Sequence, residues 1–97
     1  MPLTFPQYET LNADTTLAPR LKTLAQRLLR DYYKTHPSAS GAFLDGLTAL
    51  SNPAFVERIR VQTLGELDDA GTATPTVAEI GVAARAAIRD CFNNPAL

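Results

Sequence analysis

Ninety-seven residues with a net charge of −1 describe one small domain, since domains typically run about 100–150 residues. Nine Lys and Arg stand against ten Asp and Glu, which excludes the uniformly basic surface of a protein dedicated to coating nucleic acid. Fifteen Ala and thirteen Leu against four Val and three Ile favour helix, because β-branched side chains are the strand formers. The expected class is all-α, a small four-helix bundle-like domain with an extended N-terminal arm. One Cys and one His supply neither an intramolecular disulfide nor the roughly four ligands of a structural zinc site. No metal and no cofactor are expected. No apolar run approaches the ~18–20 residues of a membrane span, and no Lys or Arg precedes an apolar stretch at the N-terminus. The expectation is a cytoplasmic protein without a signal peptide and without a membrane partner.

Residues 1–15 read as the arm. Pro2 and Pro6 fix their own φ and push the residues before them towards extended conformations. Leu3, Phe5 and Tyr8, with Leu11 behind them, give the arm apolar anchors. They suit a strap packed on its own domain first, and a clamp on a neighbouring subunit as the alternative.

The helical domain then spans residues 16–92. The first predicted helix runs from about Thr16 to Lys34, with Asp14, Thr15 and Thr16 as cap candidates and Pro19 in the first turn. Leu17, Leu21, Leu24, Leu28 and Tyr32 recur every three or four residues, with Ala25 and Leu29 alongside, so one face is broadly apolar. The His36-Pro37 step ends it. A second helix, Ser40 to Leu50, carries Phe43, Leu44, Leu47 and Leu50, with Ser38 or Ser40 as its cap. A third opens at Ser51-Asn52-Pro53, a cap residue followed by Pro at the first helical position, and stops before Gly71. Asp68 and Asp69 oppose the dipole at that end and favour a stop nearer Leu67. After Gly71–Pro75, a fourth helix runs to Phe92, with Thr76 and Glu79 spaced as a capping box. Val77, Ile80, Ala84, Ala87, Ile88 and Cys91 form its apolar face. Asn93-Asn94-Pro95 stops it, and residues 93–97 read as a short tail.

Catalytic motifs are missing: there is no phosphate-binding glycine loop, no His-Glu-x-x-His and no Gly-x-Ser-x-Gly. His36 falls at a helix terminus, where an imidazole commonly caps carbonyls. Cys91 falls on an apolar face, where a thiol acts as a small hydrophobe. No enzymatic activity is expected. Two charged features remain. Arg20, Arg27, Arg30 and Lys34 share one side of the first predicted helix and make a basic stripe, which suits a solvated outer face, an acidic protein or a phosphate backbone. Glu66, Asp68 and Asp69 make an acidic corner at the end of the third, without the ordered oxygens of a calcium loop. Of the aromatic residues near the stripe, only Tyr33 is expected to be free to stack on a base. Gly46, Gly65 and Gly81, inside three predicted helices, suit close backbone packing or weak helix continuity.

One resemblance joins these features. Asn52-Pro53-Ala54-Phe55 leads into a helix bearing Arg58 and Arg60; Thr74-Pro75 follows, then Ala83-Ala84-Arg85-Ala86-Ala87 before Asn94-Pro95. Residues 52–95 in this order resemble small helical virion-associated structural proteins of tailed bacteriophages, although the linker lacks their aromatic or histidine-containing variants. The resemblance implies a subunit of a head, neck or tail, located in the virion, that acts through repeated protein–protein contacts. It implies no catalytic residues. The function expected is therefore a non-enzymatic structural or assembly protein, a homo-oligomer or part of a larger assembly, docking through the arm, the stripe and the acidic corner. The alternative is a small helical subunit of a nucleoprotein effector complex, with the stripe on the nucleic-acid backbone.

Overall fold

The computed structural model describes residues 5–37, 40–71 and 75–97, which form five helices: α1 (Phe5–Ala13), α2 (Leu17–Lys34), α3 (Ser40–Leu50), α4 (Pro53–Asp69) and α5 (Val77–Cys91). The protein is all-α, as its composition implies. Its extents of 45 × 22 × 18 Å make it about two helix diameters thick. Two hairpins build it. In the α2–α3 pair Leu29 meets Gly46, and Tyr33 meets Phe43 with ring centroids 5.8 Å apart. In the α4–α5 pair, the most extensive contact of the fold, Gln62 lies beside Cys91 and Phe55 beside Phe92, so the two helices run antiparallel.

Capping chemistry sets most of the boundaries. The Asn52 side chain accepts from the Ala54 N–H at 3.0 Å, and Pro53 follows at the first helical position, where its missing donor is not needed. Thr76 and Glu79 close the expected capping box, with Glu79 N–H on Thr76 Oγ1 at 3.2 Å and Thr76 N–H on Glu79 Oε1 at 3.1 Å. Asn93 takes the left-handed conformation (φ 54°) at the end of α5, and the amides of Asn93 and Asn94 return to the Asp90 and Arg89 carbonyls in a Schellman turn. At the start of α2, Asp14 accepts from the Thr16 amide at 2.9 Å and the Thr16 hydroxyl at 2.6 Å. These two bonds hold the Asp14 carboxyl below the usual aspartate range, the Thr16 hydroxyl contributing most.

Four expectations need correction. The extended arm is a helix from Phe5 to Ala13. Pro6 falls in its first turn, where proline costs nothing, and nothing after it up to Ala13 breaks a helix. Arg60 secures the C-terminal end of α1 to α4, donating from one guanidinium nitrogen to Asn12 Oδ1 at 2.7 Å and to the Asn12 carbonyl at 3.3 Å. This cation sits where the helix dipole is negative, and Leu11 packs on the core from the same end. Second, α4 continues to Asp69 rather than stopping near Leu67. Asp68 and Asp69 are exposed to water, which weakens their repulsion from the dipole, and Gly71 at φ 73° provides the stop. Third, the buried line of α2 is Leu17, Leu21, Ala25 and Leu29, while Leu24, Leu28 and Tyr32 are half-buried. The seam is rotated by about 40° from the leucine-richest line. Small Ala25 lies in the same core cluster as Ala84 and Ala87 of α5, and small side chains let helices approach closely. Fourth, Val77, the first residue of α5, is 86% exposed rather than part of the buried apolar face.

The core joins Leu17, Leu21, Ala25 and Leu29 to Leu50, Ile59, Leu64, Ala84, Ala87 and Ile88. Buried Thr63 satisfies its hydroxyl on the Ile59 carbonyl at 2.8 Å. The C-terminal segment is part of this core as well. After the Asn93 turn the chain folds back, Leu97 is buried, and its carbonyl accepts from Nε of Arg89 at 2.5 Å and of Arg85 at 3.5 Å. The packed unit thus reaches beyond residues 16–92, to Leu11 on one side and Leu97 on the other.

Candidate functional site

The α4–α5 hairpin leaves an apolar groove on its outer side. Leu67 and Ala70 of α4 face Ala78, Val82, Ala83 and Ala86 of α5 across a cleft of about 290 Å³, with Glu66 and Glu79 at its edges. Val82 is 73% exposed there. A valine with that exposure is unremarkable alone, but here it continues an apolar line of Ala78, Val82 and Ala86, spaced by four. That line lies opposite the core face of α5, so the helix has two apolar faces and only one is buried within the fold. The spacing was available in the sequence. The stronger line through Ile80, Ala84, Ala87 and Ile88 accounts for the core and masks it.

Of the acidic corner, Glu66 reaches the edge of this groove. Glu66 is half-buried against it, while Asp68 and Asp69 extend into solvent from the last turn of α4. Among the described residues no group of His, Cys, Asp or Glu is arranged to hold a metal ion. The groove offers apolar surface bordered by negative charge.

The basic stripe lies on α2, opposite its buried line. Arg20, Arg27, Arg30 and Lys34 are all exposed, and among the described residues none of their side chains makes a hydrogen bond or close ion pair, although the Arg20 charge acts on Asp14. The stripe spans ~21 Å at 1.5 Å per residue. Between Arg20 and Arg27 the surface dips into a mainly apolar hollow of about 290 Å³, floored by Pro19, Thr23 and Leu24. Tyr33 is not free to stack: it is half-buried, edge-on to Tyr32 with centroids 4.8 Å apart, and packed on Phe43. Its position toward α3 follows from the rotated seam. Of the arm residues, Leu3 lies outside the described residues, as do the side chains of Phe5 and Tyr8.

The remaining candidates are structural in their surroundings. His36 Nδ1 lies 2.8 Å from the Tyr32 carbonyl and the ring stacks on Tyr32 at 4.2 Å, closing the end of α2 together with Thr35. Cys91 is half-buried, its thiol 3.5 Å from Gln62 Oε1, and Gln62 in turn donates to Asp90. Burial pushes the thiol above its usual range, outweighing the nearby Arg58 charge. Arg85 and Arg89 are turned to the Leu97 carbonyl instead. Of Gly46, Gly65 and Gly81, only Gly46 marks a close approach, since a Cβ there would lie 3.0 Å from Leu29 Cδ1. Gly65 and Gly81 face open space. A larger cleft of about 570 Å³, bounded by Tyr32, Tyr33, Asp45, Phe55, Phe92 and Asn93, closes the opposite end of the bundle, with near-equal polar and apolar walls. No helix among the described residues is long and apolar enough to cross a membrane. No family model matches the chain, and neither a curated protein nor a solved structure matches it.

Proposed function

We propose that this chain is a non-enzymatic helical assembly protein whose work is done at contacts with other protein subunits. The observation that carries this reading is the α4–α5 groove, an apolar second face of α5 bordered by Glu66 and Glu79, with Asp68 and Asp69 nearby in the last turn of α4. Burying apolar surface supplies the affinity of such a contact, and the carboxylates choose a basic partner and its orientation. A head, neck or tail position in a phage particle is the setting we assign to it, on the resemblance of residues 52–95 to virion-associated subunits. The test is a photo-crosslinking residue in place of Val82 in the full chain, expressed in its native host, with exposed Val61 as the control position. Light-dependent adducts to protein at position 82, and none at 61, are expected. Absence of any protein adduct at 82 overturns the proposal.

A second reading follows from the exposed cations of α2: the stripe lies along a nucleic-acid backbone in a nucleoprotein complex. It requires binding that weakens steeply with salt and is lost on reversing Arg27 and Arg30. Binding that survives the reversal removes the reason for it.

A further inference from the structure

We infer that the partner in the groove is the basic face of α2 from a second copy of this chain. The inference rests on the groove being a docking site, and it adds the identity of the occupant. Its ground is that one chain carries both halves of a complementary contact. The groove has an apolar floor, a protruding Val82 and an edge carrying Glu66 and Glu79, with Asp68 and Asp69 adding negative charge nearby in the last turn of α4. The α2 face has the reverse: an apolar hollow over Leu24 and Pro19, bordered by Arg20 and Arg27, with Arg30 and Lys34 beyond.

The dimensions agree. Ala78 to Ala86 spans ~12 Å along α5, and Arg20 to Arg27 spans ~10 Å along α2. Val82 at the middle of the first thus meets the Leu24 hollow at the middle of the second, and both arginines reach the carboxylate rim. Aliphatic arginine stems cover the apolar margins of the groove while their guanidinium groups reach its Glu66 edge, within the field of Asp68 and Asp69. The near-zero net charge fits this arrangement, since the −1 is a sum of segregated patches that cancel between neighbours.

The two faces are different surfaces of one chain, so the contact is heterologous. Every copy that fills one groove presents its own, and growth continues into a ring or an open filament. One helix against one groove lies at the small end of interface sizes, so association is expected at about 10–100 μM.

Sedimentation of the full chain, from about 10 μM to 1 mM, reads the assembly. Average mass should rise with concentration in 50 mM salt, and the association constant should fall at least about tenfold in 500 mM salt. Two variants then identify the faces. Arg27→Glu with Arg30→Glu spoils the stripe, and Val82→Glu spoils the groove; each alone should remain monomeric. Mixed, they should form a 1:1 dimer and nothing larger, because only one groove and one stripe stay intact. Recovery in the mixture also shows that both variants are folded. A wild-type monomer at 1 mM overturns the inference, as does a mixture that stays monomeric or single variants that assemble. Adducts at position 82 to a different protein, beside a monomer in sedimentation, overturn the self-contact and leave the docking site standing. Adducts to no protein overturn both.

Discussion

The glycines inside helices allow a test in which the same substitution should act in opposite directions. Alanine is favoured over glycine in a helix interior by about 1 kcal/mol, chiefly because glycine loses more backbone freedom on folding. At Gly65 of α4 and Gly81 of α5 an added Cβ meets nothing within 4 Å, so the full gain should be realised. At Gly46 of α3 the added carbon would lie 3.0 Å from Leu29 Cδ1, 3.4 Å from Cδ2 and 3.5 Å from Phe92 Cε1. Leu29 is 2% exposed in the core, so its methyl groups can retreat only by disturbing their own neighbours. Overpacking of this kind costs about 1–3 kcal/mol. Set against the helical gain, Gly46→Ala should come out neutral to about 2 kcal/mol destabilising, and about 1–3 kcal/mol below Gly65→Ala. Urea denaturation followed by far-ultraviolet circular dichroism measures the difference directly. In thermal melts Gly65→Ala and Gly81→Ala should each raise Tm by about 4–8 °C, the shift of 1 kcal/mol in a domain this size. Equal stabilisation at Gly46 and Gly65 would refute the close α2–α3 approach.

Three further outcomes follow from local chemistry. Thr76→Ala removes one half of the capping box at the start of α5 and should cost about 1 kcal/mol in urea titrations, whereas Thr76→Ser should retain most of it. The Asp14 carboxyl, held low by Thr16, contributes stability that is present above the ordinary aspartate range and is lost as pH falls through its lowered folded value. Tm should therefore decline on acidification below pH about 4, and Asp14→Asn should flatten part of that decline while lowering Tm at neutral pH. Cys91, with its thiol raised by burial, should react with iodoacetamide at pH 8 more slowly in the native chain than in denaturant. A native rate equal to the unfolded one would show that the thiol is not shielded.

Much of the architecture could be read from short stretches of residues. The Asn52-Pro53 start, the Thr76 and Glu79 pair, the Gly71 stop and the His36-Pro37 end each act within about one turn, through hydrogen bonds or φ limits the nearby residues themselves impose. Composition sufficed for the all-α class, and the basic stripe was visible because a seven-residue spacing returns to one helix face. The N-terminal helix is obscured for an equally local reason: Pro2 and Pro6 signal extended chain, yet a proline in a first turn is equally compatible with helix.

Burial is of another kind, because it depends on what lies opposite. Leu24 and Ala25 are neighbours on α2, and composition favours the leucine for the core. The alanine is nevertheless fully buried, joining Ala84 and Ala87 in a cluster drawn from distant parts of the chain. Val77 and Ile88 share an apolar face, but only Ile88 has other helices packed over it. Leu97, read as tail, becomes core once Asn93 turns the chain back on itself. The groove belongs to this second kind: its acids and its apolar line are separated by about ten residues, and only the antiparallel α4–α5 pairing brings them together. Hydrogen-bonded caps reach three or four residues along the chain, whereas a packed surface is defined by elements that the chain must first fold to bring together.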